Sequence, residues 1–462
     1  MGSVAIWWIR RDLRMVDNRA LSAALRRSES VVPLFVIDPR LTGRSELRES
    51  FLYDGLRSLS EDISARNGRL IVRTGNPGQV IPALARDLGA VDVFAEEDFT
   101  PFAKKRDALV GSTVKLNLSR GLSVHHPDAL VRKTGEPYKT YSPFRKMWTS
   151  LTIESAVGMG HMDLNTPQNI ETETIPAPRR VCDWPAGQTA AMKRLCEFVE
   201  ICSGSLWEYE SERGRLDMTS SSLLSPYLRF GMLSASESVR RVQAIDFDTD
   251  SDLGRSASSW IDELIWRDFY QSSLYHRPEL ASQTIRGEMK NFPWRDERSE
   301  LERWKTGMTG YPVVDASMRQ LSQTGWINNR ARMIVASFLT KHLLIDWRQG
   351  AEWFMRHLVD GDTASNAGGW QWVAGTGNDA APFFRIFSPV LQGKKFDPDG
   401  RFVKKWLPEL SAIPIEFAHE PWNWSLLPST GYPNPVVDHR YARARALDAF
   451  KASRATRKQV TR

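Results

Sequence analysis

Trp260, Glu263 and Arg267 stand at i, i+3 and i+7 with Trp266 beside them, which on a helix puts an indole, a carboxylate and a guanidinium on one face. Such a face can hold a flat ring by its surface and its polar edge together. Taken alone it reads as an amphipathic helix with a surface Glu–Arg pair. In WINNRARMIVASF (326–338), Asn329, Arg332 and Met333 share a face at i, i+3 and i+4. An amide, a guanidinium and a thioether there can read the edge of a base or a flavin; a polar first turn leading into a buried helix fits equally well. In LVDGDTASNAGGWQW (358–372), Asp360 and Asp362 bracket a glycine, Asn366 follows, and Gly368-Gly369 lead into Trp370 and Trp372. Glycines beside an indole let backbone approach a flat ligand, and the two indoles favour ligand contact over a simple capping turn. The D-G-D spacing is not that of a calcium loop. In MTSSSLLSPYLRFG (218–231), Ser225 before Pro226 marks a helix start, and Ser220–Ser222 are spare hydroxyls suited to phosphate oxygens.

The first 130 residues supply a different kind of element. Apolar runs at 4–9, 31–37, 69–73, 91–96 and 114–118 read as buried strands, separated by helical periodicity at 18–28, 50–66, 77–88 and 102–110. That alternation predicts a doubly wound, Rossmann-like α/β domain with a parallel sheet, its ligand site beyond the carboxyl ends of the strands. Asp12, Asp38 and Asp98 fall at such ends and read most simply as caps of the following helices. Residues 131–200, rich in Pro, Thr and Gly, read as a connector, structured in part. After 190 the periodicity is almost entirely helical, and the basic end KASRATRKQVTR is expected to fray.

Composition bounds the rest. The 462 residues, 41% hydrophobic and 25% charged, suffice for several folding units with real cores. No apolar run is long enough to span a membrane, and MGSVAIWWIRRDLR lacks the order of a signal peptide. Cys182, Cys196 and Cys202 are too few for a disulfide framework or a zinc site, so a reduced, cytoplasmic chain is expected. The net charge of +7 hints at a polyanionic partner. It is spread along the chain, +4 of it within 1–127, so a nucleic-acid surface would have to be assembled by folding. Of 17 tryptophans only Trp7, Trp8 and Trp148 precede residue 180. The two halves therefore do different work. Dinucleotide, P-loop, zinc-protease and serine-hydrolase fingerprints are all missing.

Together these segments resemble the DNA photolyase/cryptochrome family. The likeness runs from WWIRRDLRMVDNRAL through the long block WQWVAGTGNDAAPFFRIFSPVLQGKKFDP to KKWLPEL, and is greatest for a microbial class I cyclobutane pyrimidine dimer photolyase. It implies an antenna-binding domain at 1–130, a connector at 131–200, and an all-α domain at 201–462 that binds FAD and DNA. It places flavin contacts at Tyr209, Ser221, Ser222, Leu223, Ser225, Trp260, Arg267, Asn329, Arg332, Asp360, Asp362 and Asn366. Ser221 departs from the family's usual threonine but keeps the hydroxyl. Asn366 would face the central-ring nitrogen and support the reduced flavin, with Asp360 paired to Arg332.

Substrate contacts carried over are Arg213, Glu263, Trp266, Asn329, Arg330, Met333 and Trp372, with catalytic roles for Glu263, Asn329, Met333 and Asn366. The implied reaction is light-driven: excited reduced flavin lends one electron to a flipped-out dimer, the ring opens and the electron returns, with no metal. A relay of Trp370, Trp347 and Trp294 is implied for photoreduction. Asn328–Asn329 and Met333 stand where (6-4) enzymes resemble this chain but need histidines. Asn366 stands where animal and plant cryptochromes have cysteine or aspartate, and no long tail follows. Repair is therefore expected over signalling. EEDFTPFAKKRD (96–107) resembles a deazaflavin-type antenna segment with Asp98 as contact, and the Cys-Lys pair of folate-binding relatives is not evident at 280–283. An 8-hydroxy-deazaflavin is favoured, with folate the alternative. DNA containing pyrimidine dimers is the expected partner, and the protein is expected to act as a monomer.

Overall fold

A computed structural model describes residues 3–90, 92–158, 163–200, 204–383 and 385–460, with side chains described to 453. Cys202 and the expected boundary at 201 lie outside the described residues. The chain divides into two compact units: residues 1–207, 222–278 and 359–362 form one, and 208–221, 279–358 and 363–462 the other.

The first unit is built on five strands, β1 (Val4–Ile9), β2 (Ser30–Ile37), β3 (Ile71–Thr74), β4 (Asp92–Glu96) and β5 (Lys115–Ser119), all parallel in the order β3-β2-β1-β4-β5. Its β-branched runs are buried on both faces, as a sheet covered by helices requires. The covering helices are α1 (Arg19–Arg27), α2 (Glu46–Ser64), α3 (Pro77–Leu88) and α4 (Pro101–Gly111). The aspartates at the strand ends do not cap them. Asn18, Ser45, Asn76 and Thr100 do. Asp38 and Asp98 instead accept the amide two residues on, and Asp12 takes the Trp7 indole and the Arg10 amide, so each aspartate shapes the loop ahead of the cap.

Within the connector, α5 (Tyr141–Ser150) and α6 (Gln188–Val199) are regular helices. Residues 172–173 run along edge strand β3: Glu173 N–H donates to Val72 O, and Val72 N–H to Thr172 Oγ1. That covers an exposed ladder. The unit is completed by α8 (Ser225–Phe230), α9 (Ala235–Gln243) and the long α10 (Asp252–His276), started by the Ser251 cap. Ser225 opens α8 as its first helical residue, with Pro226 behind it; its hydroxyl is not the cap.

The second unit is helical: α7 (Tyr209–Glu212), α11 (Arg298–Thr306), α12 (Pro312–Thr324), α13 (Asn329–Ser337), α14 (Trp347–His357), α15 (Thr363–Ala374), α16 (Pro389–Phe396), α17 (Arg401–Trp406) and α18 (His439–Val460). An apolar core centred on Trp304, Phe338, Leu339, Trp347, Phe354 and Trp370 packs most of them together, and α18 packs in a second cluster with Met289, Phe292, Leu344 and Phe383. The basic end, expected to fray, continues α18 to Val460. The body of that helix is docked: Ala446 packs with Leu344 and Phe383, Arg445 Nη2 donates to the His342 carbonyl at 2.6 Å, and Ser453 Oγ to Glu288 O at 2.8 Å. Among the described residues no helix is long and apolar enough to cross a membrane.

The first residue of α18 makes a titratable contact. His439 Nδ1 and His342 Nε2 are 2.8 Å apart, and His342 stacks on Phe338 at 4.9 Å. Burial, then His439, pushes His342 down to about 3 from 6.5. The unfolded chain takes up this proton near pH 6.5 and the folded one resists it, so stability is lost as pH falls below 6.5. His342→Phe keeps the stack and removes the titration. Its melting temperature should fall less between pH 7 and pH 5 than that of the unaltered protein; equal slopes would refute the assignment.

Candidate functional site

In the first unit the expected residues gather on α10 and the turn at 359–362. Trp260 is 3% exposed and leans on Phe198 at 5.5 Å, while Glu263 and Trp266 are half-buried. Arg267 does not form a surface pair. Its side chain is only 13% exposed, and it lies 3.6 Å from Asp268. Burial lowers Arg267 and raises Asp268 to about 6, although Asp268 accepts from the Trp148 indole and the Val124 and His125 amides.

Asp360 and Asp362 are buried, and Asp362 is held from two sides. Arg11 Nη2 reaches it at 2.6 Å and Gln271 Nε2 at 3.2 Å, while Arg229 Nε donates to the Gly361 carbonyl at 2.7 Å. Arg11 also lies 3.6 Å from Asp98, so one guanidinium bridges the antenna candidate and a flavin candidate. Burial works against the charge on Arg11, but Asp362 and Asp98 hold it above the ordinary range. Arg229, without a carboxylate of its own, is pushed down to about 9 by burial and by Arg11. Leu223, beside Ser222 and Ser225, has φ of 54°, a left-handed conformation costly for a branched side chain. Arg194 Nε ties the Ser222 carbonyl at 3.1 Å.

A cavity of about 320 Å³ opens beside the carboxyl end of β4, lined by Glu97, Asp98, Lys104, Asp107, Leu116 and Tyr275 among others. Lys104 spans it, donating to the Tyr275 carbonyl at 2.9 Å and lying 3.9 Å over that ring. The crevice over β1 is filled instead. Arg10 and Arg106 lie 4.6 and 4.8 Å over Trp8, and Arg10 is paired with Asp107 at 2.6 Å.

In the second unit, α13 begins with the Asn328 cap, which accepts from the Arg330 amide and donates to the Arg213 carbonyl at 3.0 Å. Two substrate candidates, Arg213 and Arg330, are thereby tied to one side chain. Asn329 is exposed, Arg332 donates to the Ile327 carbonyl, Met333 packs on the core, and Arg330 lies 4.5 Å over Phe396. Ser221 closes the segment that begins at Tyr209, where Ser220 Oγ donates to the Glu212 carbonyl. On α15, Asn366 Nδ2 donates to the Ala351 carbonyl at 3.0 Å, which fixes the amide. Trp370, one turn on, is 3% exposed and edges onto Phe354 at 5.0 Å and Trp304 at 6.1 Å. Trp347 is 1% exposed with its indole N–H on Thr284 Oγ1, Trp294 is partly exposed beside Phe292, and Trp372 is partly exposed.

Residue types alone did not single out Arg11, Gln271, Asn328 or Gly350. Arg11 sits inside the IRRDLR run, and that cluster of buried arginines was the available signal. Lys341 was also missed: a buried ammonium lowered to about 7 by burial, it donates to the carbonyls of Phe383 and Arg385 and so fixes the loop after α15.

Residues 5–161 match the family model described as DNA photolyase, and 260–452 match the FAD binding domain of DNA photolyase. The deoxyribodipyrimidine photo-lyase of Synechococcus sp. is 37% identical, over 95% of this chain and 94% of its own length. A bacterial class III photolyase from Agrobacterium tumefaciens superposes with a TM-score of 0.90 at 35% identity, covering 98% of each chain. A cryptochrome of Synechocystis sp. gives 0.87 at 30% identity, covering 96% of this chain and 99% of its own. The chain belongs to the DNA photolyase/cryptochrome family, and its C-terminal part is an FAD-binding domain.

The residues present fit that cofactor. Arg267 Nη1, Arg229 Nη1 and Gln271 Oε1 are buried without a hydrogen-bond partner, all close in the fold to Asp362. Buried polar atoms are nearly always satisfied, and two cationic donors of this kind suit a phosphate-bearing ligand.

Gly350 gives a direct test of how Trp370 is held. A Cβ there would overlap Trp370 Cη2 and Cζ3 and Leu339 Cδ2. Gly350→Ala should cost about 1–3 kcal/mol in denaturant unfolding and shift the indole fluorescence. An unchanged midpoint and spectrum would show that Trp370 is not wedged.

Proposed function

We propose that this protein repairs cyclobutane pyrimidine dimers in DNA by light-driven electron transfer, acting as a deoxyribodipyrimidine photo-lyase. When bound and fully reduced, FAD supplies a photo-excited electron. The protein's own residues hold the cofactor, seat the damage and keep the rings still. In this reading Arg267, Asp360, Asp362, Arg332, Asn329, Trp260, Tyr209, Ser221, Ser222, Leu223 and Ser225 hold FAD. The fixed amide of Asn366 supports its reduced form.

Enzymes that act on a base take it out of the stack, photolyases among them. Trp266 and Trp372 serve as apolar walls for the extruded dimer, Glu263, Asn329 and Met333 meet its edge, and Arg213 and Arg330 hold flanking phosphates. Trp370, Trp347 and Trp294 form the relay, and their burial supports that order: the first two are enclosed and the third is partly exposed. The domains follow the boundaries 1–130, 131–200 and 201–462. The antenna, an 8-hydroxy-deazaflavin in preference to folate, lies in the cavity that Asp98 lines, whose size suits a small-molecule site. The class I assignment, the monomeric state and the cytoplasmic location belong to the same proposal.

The observation that carries the reading is α15, where an amide fixed by Ala351 precedes an enclosed indole by one turn. A cryptochrome-like photoreceptor without repair activity is the alternative reading, and a cryptochrome of Synechocystis sp. is among the similar solved structures. Purified protein with reduced FAD, mixed with irradiated oligothymidylate, should lose dimer under blue light and none in darkness, followed by chromatography. Persistence of the dimer under light would overturn repair in favour of the photoreceptor.

A further inference from the structure

The connector helix α5 runs along α10 and is tied to it at three levels. Tyr141 Oη donates to the Asp262 carbonyl at 3.2 Å, Arg145 Nε to the Asp262 carboxylate at 2.5 Å, and Trp148 Nε1 to Asp268 Oδ2 at 3.0 Å. Between them Phe144 meets Phe269 edge-on at 5.2 Å. The outcome at its first residue is a parallel stack: the rings of Tyr141 and Trp266 are 3.7 Å apart at 0°. Phe269 closes one side of the same indole at 5.6 Å and 84°, and Tyr270 leans on it at 5.6 Å.

A half-buried tryptophan on a helix has more than one rotamer open to it. A full-face stack anchored by a hydroxyl to the turn below selects one. We propose that Tyr141 is a positioning residue for recognition of the damaged base pair, backing Trp266 so that the indole meets the dimer already in its bound orientation. The inference rests on the repair reading and adds to it a residue from outside the helical domain's motifs. A side chain that must be ordered on binding weakens the apparent affinity by the fraction of time it is misplaced, and pre-stacking removes that loss. Undamaged duplex, which presents no extruded bases, has no use for the wall. The tyrosine should therefore matter for damaged DNA alone.

The test uses the full-length FAD-loaded protein and two oligonucleotides of one sequence, with and without a single thymine dimer. Tyr141→Ala should weaken binding of the dimer-containing strand about three- to tenfold, the value of a lost aromatic pair. KM should rise alike, kcat at saturating DNA and light should change little, and affinity for undamaged DNA should hold. Tyr141→Phe, which keeps the stack, should restore dimer affinity to within about twofold. Equal weakening for both strands, or an unchanged preference in a folded Tyr141→Ala protein, would refute the role. Should that variant not fold, Arg145→Met loosens α5 with both rings intact, and the same selective loss or its absence decides. An unaltered protein that neither prefers nor repairs the dimer sinks the repair reading itself. One that does both, alongside an indifferent Tyr141→Ala, sinks only the part assigned to Tyr141.

Discussion

Moving one electron between aromatic rings depends steeply on their separation, so the rings have to be kept from wandering. Immobilised indoles are the constraint around which both units are arranged. Trp370 is wedged between Phe354, Trp304 and the bare backbone of Gly350. Trp347 is enclosed and pinned by Thr284, and Trp266 is backed by Tyr141. A close-packed interior supplies this stiffness without any covalent device.

The second demand, met within the first unit, is to bury charge. Arg11, Asp98, Asp362 and Gln271 form one network, and Arg229 and Arg267 stand next to it with donors still unsatisfied. Burying ions seldom adds stability, and removing one partner strands the other at several kcal/mol. Such a network is better understood as a means of holding a ligand than of holding a fold. The same desolvation lowers the pKa of both Arg229 and Arg267 from the ordinary guanidinium value. A bound diphosphate would relieve it.

Much of the fold was legible because its signals are local. Strands written as continuous apolar runs, such as Val4–Ile9 and Ser30–Ile37, and helices opened by Asn, Ser or Thr declare themselves within a few residues. The aspartates at the strand ends misled for the same reason: a good capping residue stood there, but a better placed one followed within a few positions. What stayed hidden was long-range. Tyr141 acts on a residue over a hundred positions away, and its segment reads as a connector because Pro, Thr and Gly surround it. Gly350 carries no chemistry, so only the ring pressed against it reveals its use. The basic end, expected to fray, continues a helix whose body is anchored by Ala446 and Arg445, contacts that local charge does not announce. The helices α10, α13 and α15, which carry the proposed site residues, were legible by their spacing, whereas their division between two compact units was not.

The central claim is that light energy held by the reduced flavin leaves as an electron to a dimer seated against these fixed walls. Fluorescence of the fully reduced flavin, read before and after adding an oligonucleotide with one thymine dimer, tests it most directly. The account predicts strong quenching by the dimer-containing strand and none by the undamaged strand of the same sequence. Undiminished emission with the damaged strand demonstrably bound would contradict it.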